Sequence, residues 1–282
     1  MKFSAVIVNY QSWQLTLRCI ESLQRTGRED LEILVVDNEA GAYIQAPELP
    51  HPARRISNLT NVGFARACNQ GIAASRGDLV VLINPDTLVE RDFFGRLEEF
   101  FEENPKAGVA GPKVLDGNGN LQLSARRELG FVSGLLGRTS FLTRLFPRSR
   151  VVRRMFPAAQ TSDGPAEVDW VSGACLAVRR RTLEEIGAMD ERFFMYFEDA
   201  DLCRRAREAG HPVYYLPRVE VVHLTGASSR SRPRAIWRLH KSAFLYHRKH
   251  GPHGPLNLYS GLVLLGLGAR GLAKLAAMVL AR

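Results

Sequence analysis

Four short stretches hold side chains able to do chemistry near a phosphate or a hydroxyl. The first is Asn84-Pro85-Asp86, which cuts off the apolar run Leu79 to Ile83. Pro85 cannot donate to a ladder, so a strand ends there and delivers the Asp86 carboxylate at its tip. A turn or helix cap is one reading of Asp86. A metal or phosphate site is the other, because ligands of open α/β sheets gather at the carboxyl ends of strands. The second is Glu198, Asp199 and Asp201, directly behind Phe193, Phe194, Tyr196 and Phe197. Acids in a first helical turn complement the helix dipole. A wall of aromatic rings adds something else: it desolvates a carboxylate and raises its pKa toward that of a working base. The third is His223, at the end of an apolar strand that starts near Val219. Paired with Asp86 it would form a mixed N/O divalent site, completed by substrate phosphate oxygens. The fourth is Asn61 to Gly71, a Gly turn opening a helix. Its Asn61 and Gly63 suit either a plain cap or a phosphate held by helix N–H groups.

These groups need elements to position them. Ala5 to Val8 reads as a buried strand ending at Asn9-Tyr10, and Leu31 to Val36 as a second ending at Asp37-Asn38. Asp37 is a turn residue or an acceptor for a nucleobase N–H or ribose hydroxyl. Helical spacing covers 14–24, 64–74, about 91–103 and 202–209. Strands alternating with helices predict an α/β, Rossmann-like parallel sheet covered on both faces. The polar clusters then lie at the ends of neighbouring strands. Arg205 shares a helix with Asp201, where it either orients the acids or makes a surface salt bridge.

At 282 residues the chain supports one large domain, or a domain with an appendage. Its 38 basic against 29 acidic residues leave +9, which suits a polyanion, an anionic membrane or phosphate-bearing substrates. Cys19, Cys68, Cys175 and Cys203 are too scattered for a zinc knuckle or redox pair, so buried thiols are expected. No signal peptide is apparent, so a cytoplasmic protein is expected. Arginines 126, 127, 138, 144, 148, 150, 153 and 154 alternate with Phe131, Leu135, Leu136, Phe141, Leu142, Leu145 and Phe146. Past Leu256 the tail is apolar but broken by Arg270 and Lys274, so it reads as an amphipathic helix on a membrane, or as a Gly/Ala-rich homodimer interface.

The ordered series Val6-Ile7-Val8-Asn9-Tyr10, Val36-Asp37-Asn38, Asn61-x-Gly63-Phe64, Asn84-Pro85-Asp86, Ser172-Gly173-Ala174, Phe197-Glu198-Asp199-x-Asp201-Leu202 and His223 resembles the family 2 inverting glycosyltransferases. Within them it is most similar to the bacterial rhamnosyltransferase-like branch. The resemblance implies the GT-A fold, a nucleotide-sugar donor and Mg²⁺ or Mn²⁺. It implies that Asn9, Asp37, Asn61, Gly63, Asn84, Asp86 and Gly173 line the donor site, with Asp37 holding the base. Asp86 and His223 would bind the metal, and Asp199, with Glu198 beside it, would be the catalytic base. Ser172-Gly173-Ala174 would be a small-residue wall where donor and acceptor meet. One departure is Asn84, where the family's metal motif has a second aspartate; it implies weaker metal binding without the donor diphosphate. The expected organisation is a GT-A domain over 1–229, with a basic apolar insert at 126–160, and a helical, membrane-associating segment over 230–282. The expected activity is transfer of a sugar, L-rhamnose from dTDP-rhamnose first, to a saccharide or polyprenyl-diphosphate-linked acceptor at the inner face of the cell membrane. Galactofuranosyl or hexosyl transfer from a UDP-sugar is the alternative. A nucleotidyltransferase lacks its Gly-rich basic loop here, where Asn9 to Gln14 stands instead. A nucleic-acid-binding protein has only the net charge in its favour, without a motif.

Overall fold

The computed structural model describes residues 1–38, 46–127, 164–224 and 232–251, with glycines 261, 266, 268 and 271. Most of the basic insert (128–163) and of the C-terminal tail (252–282) therefore lies outside the described residues. Short apolar runs form the strands β1 (Phe3–Asn9), β2 (Leu31–Asp37), β3 (Arg54–Ser57) and β4 (Leu79–Ile83). These four are parallel, and β1 lies between β2 and β4. The helices α1 (Trp13–Gln24), α2 (Phe64–Ala74) and α3 (Phe93–Glu103) alternate with them, as the periodicity predicts. Residues along β1 alternate between two cores. Phe3, Ala5 and Ile7 pack with Cys19, Ile20 and Leu23 of α1 and Phe94 and Leu97 of α3. Val6 and Val8 pack with Ala67, Cys68 and Ile72 of α2. Gly71 lets α2 settle on β1, since a Cβ there would stand 2.2 Å from Val6 Cγ1.

The sheet is mixed rather than wholly parallel. After β5 (Thr87–Val89), β6 (Val109–Leu115), β7 (Leu121–Gln122), β8 (Ala125–Arg126), β9 (Ala166–Val168) and β10 (Trp170–Val171), strand β11 (Cys175–Arg179) inserts antiparallel between β4 and β6. The helices α4 (Arg180–Ile186) and α5 (Glu198–Glu208), the long β12 (Val213–His223) and α6 (Arg232–His250) complete the order. The main path is β3-β2-β1-β4-β11-β6-β12-β5, with β5 antiparallel to β12. A strand buried on both faces reads as a continuous apolar run whichever way it points, so direction is not visible in composition. β12 begins six residues before the expected Val219. Its pairing with β6 skips from Leu216 to Glu220, a bulge that accommodates Pro217.

Every parallel strand ends at the same edge of the sheet, and antiparallel β11 begins there. Asn9, Asp37, Asn84 to Asp86, Ser172 to Ala174 and His223 thus share one edge. All four cysteines are buried and unpaired. No helix among the described residues is long and apolar enough to cross a membrane.

Candidate active site

β5 turns back against β12 so that Thr87 pairs with His223. The residue before Thr87 is Asp86, and its carbonyl accepts from Leu224 N at 2.8 Å. This register sets the Asp86 carboxylate against the ring: His223 Nε2 and Asp86 Oδ1 are 3.1 Å apart. Asp86 is buried. Two ligands at right angles on a cation with arms of about 2.1 Å stand about 3.0 Å apart, so the pair fits a shared divalent ion. No third His, Cys, Asp or Glu among the described residues converges there. A site with few protein ligands suits Mg²⁺ or Mn²⁺, which take the rest from substrate phosphates and water.

The acidic segment enters α5 through a strained turn. Tyr196 and Phe197 both have positive φ, at 73° and 69°, a region that bulky residues avoid at a cost of order 1–3 kcal/mol each. The turn aims the two acids differently. Asp199 Oδ2 accepts from Gly173 N at 2.7 Å and Oδ1 from Ala200 N at 2.8 Å. Burial raises its pKa above the ordinary aspartate value, while those two N–H groups and the Arg126 charge restrain the rise. Glu198 is turned inside near the Cys68 thiol, and its Oε2 is buried with no hydrogen-bond partner. Burial, and then Asp199, push its pKa up strongly, which favours the protonated form. Asp201, fully buried, is held by Arg205 at 2.8 Å, Lys249 at 2.6 Å and His250 at 2.7 Å. Arg205 also donates to the carbonyls of Ile186, Gly187 and Ala188, clasping α5 to the end of α4.

The segment Ser172 to Ala174 joins the two chemistries. Gly173 N reaches Asp199, while Ala174 O accepts from Asn84 N at 2.9 Å and from Thr87 Oγ1 at 3.2 Å. A side chain at Gly173 would bring a Cβ to 3.4 Å from Asp199 Oδ2. Asp199 and the Asp86–His223 pair are thus tied through three residues.

Other candidates serve as framework. Asn9 is fully buried; its Oδ1 accepts from Ser12 and Thr16, and its Nδ2 donates to Asp37 Oδ1 at 3.3 Å. It steadies Asp37, whose Oδ2 has no partner among the described residues. At the turn of Asn61 and Gly63, read either as a cap or as a phosphate cradle, three backbone N–H groups are engaged within the fold. Val62 N is taken by Asn38 Oδ1, Gly63 N by Asn61 Oδ1 and Phe64 N by the Phe194 carbonyl. Gly63 has φ 94°, and a Cβ there would lie 2.9 Å from the Phe194 ring and carbonyl, so this turn seats the acidic segment.

Arg126 and Gln122 were not singled out from the sequence as site residues. Arg126 lies over the Trp170 ring at 4.9 Å and acts on Asp199. Arg127 donates to Glu167 O. The first two arginines of the basic run therefore belong to the folded domain. Gln122 contacts His223 at both the ring and the carbonyl.

The family model for glycosyltransferase-like family 2 matches residues 2–241. The chain belongs to that family. It is 29% identical over 255 residues to the N-acetylglucosaminyl-diphospho-decaprenol L-rhamnosyltransferase of Mycobacterium tuberculosis, covering 86% of this glycosyltransferase and 82% of the relative. It is 24% identical to the dTDP-rhamnosyl transferase RfbF of Shigella flexneri, over 90% and 82% of the two chains. The mannosyltransferase PcManGT of Pyrobaculum calidifontis, solved with GDP-Man and Mn²⁺, shares the fold at a TM-score of 0.61 and 17% identity, over 98% of this chain and 75% of that one. The GT-A fold expected from the sequence is the one present.

Proposed function

We propose that this glycosyltransferase inverts its donor sugar, depends on a divalent cation, and transfers L-rhamnose from dTDP-rhamnose to a polyprenyl-diphosphate-linked saccharide. The observation that carries this reading is the tie from Asp199 through Gly173 and Ala174 to the strand end bearing Asp86. Inversion needs one displacement, with a base on one side of the anomeric carbon and the leaving diphosphate on the other. Asp199 accepts the proton of the acceptor hydroxyl as that oxygen bonds to the anomeric carbon. The bond from that carbon to the diphosphate oxygen breaks, and its electron pair stays on the diphosphate. Asp86 and His223 would hold the cation, which supplies neutralising charge for the departing diphosphate when bound. Asp37 offers its carboxylate to the nucleoside. Support for the cation comes from the Asp86–His223 spacing and from the Mn²⁺ in the mannosyltransferase. Support for the sugar and acceptor comes from the names of the Mycobacterium and Shigella relatives. A nucleotide-sugar panel with Mn²⁺, scored by thermal shift and then by turnover on a polyprenyl-diphosphate acceptor, tests it. A response to dTDP-rhamnose above all UDP- and GDP-sugars is expected; preference for a UDP-hexose would replace rhamnose as the substrate.

We further infer that the enzyme works at an anionic membrane surface, as a lipid-linked acceptor requires. Arg234, Trp237, Lys241 and Arg248 support this: they are exposed side chains of α6, and helical geometry sets them within about 60° of one another.

A further inference from the structure

His223 can ligate a cation through Nε2 only while that nitrogen keeps its lone pair. A neutral imidazole carries one proton, and the partner of the other nitrogen decides where it sits. Here Nδ1 meets Gln122 Oε1 at 3.1 Å. The Gln122 amide is itself oriented, because its Nε2 donates to the His223 carbonyl at 2.9 Å and lies 3.5 Å from the Leu115 carbonyl. Carbonyls only accept, so the amide nitrogen must face them and the amide oxygen is left for the ring. Asp86 Oδ1 faces Nε2 at 3.1 Å and accepts as well, so without a cation the two nitrogens compete for the proton, and the acceptor opposite Nδ1 stabilises the tautomer that carries it there. Nε2 then turns its lone pair toward Asp86 Oδ1. In that tautomer the two atoms can share a cation.

The backbone holds Gln122 for this task. The hairpin before it closes on Asp116, whose Oδ1 accepts from Asn118 N and Asn120 N, both at 2.9 Å. β7 then pairs Leu121 with Leu115, and Leu115 pairs on its other side with Val222. Gln122 therefore reaches His223 across the end of β6 in a register fixed by the sheet.

We propose that Gln122 is the positioning residue of the cation site: it engages the ring and the carbonyl of His223 together, and so fixes the rotamer and stabilises the tautomer with the proton on Nδ1. This rests on the reading of Asp86 and His223 as the cation site. The test uses full-length protein with ¹⁵N-labelled histidine, free of metal, at a pH above the ordinary histidine range, followed by Mn²⁺ titration with dTDP present. In the parent protein the tautomer with the proton on Nδ1 should be populated, in competition with Nε2–H donating to Asp86. Gln122→Met should move the proton to Nε2 and weaken Mn²⁺ binding by roughly 10–100-fold. Gln122→Ala carries the same expectation should the methionine variant not fold. Gln122→Glu keeps an acceptor against Nδ1 while losing the donor to the His223 carbonyl, so the tautomer should stay near the parent value; a tautomer that follows Gln122→Met instead overturns the proposal. A folded Gln122→Met or Gln122→Ala protein with the parent tautomer, or with parent Mn²⁺ affinity while His223→Ala has lost it, overturns the proposal alone. Parent Mn²⁺ affinity in His223→Ala overturns the cation-site reading and the proposal with it.

Discussion

A carboxylate works as a base near neutral pH when its charged form is penalised without being forbidden, and Asp199 sits between those limits. Burial raises its pKa, and Gly173 N, Ala200 N and the Arg126 charge limit the rise. The base must be unprotonated, so kcat/KM should fall as pH drops through this raised pKa. The acid limb should lie above the ordinary aspartate range of about 3.9. Arg126→Ala removes a restraining positive charge and should move that limb to higher pH; a pH profile unchanged in the variant would detach Arg126 from the base. Asp199→Asn should cut turnover by about 10²–10⁴-fold and leave dTDP affinity unchanged, as measured by calorimetry. Asp86→Ala and His223→Ala should instead abolish the gain in dTDP affinity that Mn²⁺ confers. If dTDP binds equally with and without Mn²⁺ in the parent protein, the cation assignment fails. Asp86 and His223 could be singled out as polar groups at strand ends and Asp199 as an acid behind aromatic rings, and the fold sets His223 against Asp86. Gln122 could not be, since an amide in a polar loop has no signature and its partner lies 101 residues away. Gly63 was legible as a turn but not for its reason, because Phe194, the residue it must clear, is placed there only by the tertiary fold.

At the scale of elements, the acidic segment is held from outside by α6. Arg238 covers the Phe194 ring at 4.2 Å, Ser242 Oγ donates to Met195 O at 2.8 Å, and Tyr246 packs on Phe197 at 5.5 Å. Lys249 and His250 then close on Asp201. These contacts recur about every turn along one stripe of α6, and they secure the strained pair Tyr196–Phe197 ahead of Asp199. Residues 232–250, grouped with the tail on sequence grounds, thus pack on the acidic segment. The sequence could not reveal this, because a basic helix shows its charges but not which acids receive them. Asp201→Ala would leave Arg205, Lys249 and His250 without their shared carboxylate. Losing one partner of a buried ion pair costs roughly 3–5 kcal/mol, and a loss of that size should appear in urea unfolding. A change below about 1 kcal/mol would reduce the cluster to surface charge pairing. Burial opposes ionisation of Asp201, but Lys249, His250 and Arg205 outweigh it and hold the pKa below the ordinary value. The stability from Asp201 is therefore full above the unfolded aspartate pKa and lost as pH falls through the folded one. The Asp201→Ala deficit should shrink correspondingly in acid.

For the whole molecule, the question is where a net charge of +9 is directed. Arg126, Arg127 and Arg205 are engaged within the fold, so the excess of arginine does not by itself describe an outer surface. The second stripe of α6 does. Arg234, Lys241 and Arg248 point outward with no ion pair among the described residues, and Trp237 between them is 70% exposed. An exposed indole flanked by cations matches a lipid headgroup layer, where the ring sits at the interface and the cations meet anionic lipids. Each such cation contributes about 1 kcal/mol near an anionic leaflet, so three give about 3 kcal/mol, on the order of a hundredfold in partitioning. Full-length protein should therefore float with vesicles containing phosphatidylglycerol and remain behind with neutral phosphatidylcholine. Its tryptophan emission should shift to the blue on binding, a shift absent in Trp237→Phe because Trp13 and Trp170 are packed against Arg55 and Arg126. Reversing the three charges together (Arg234→Glu, Lys241→Glu and Arg248→Glu) should abolish flotation while leaving transfer to a short, water-soluble acceptor analogue intact, since none of the three contacts the acidic segment's carboxylates. A homodimer would use the same stripe differently. Loss of a dimer by light scattering in the reversed variant, with no vesicle binding by the parent protein, would assign this face to a second copy of the chain.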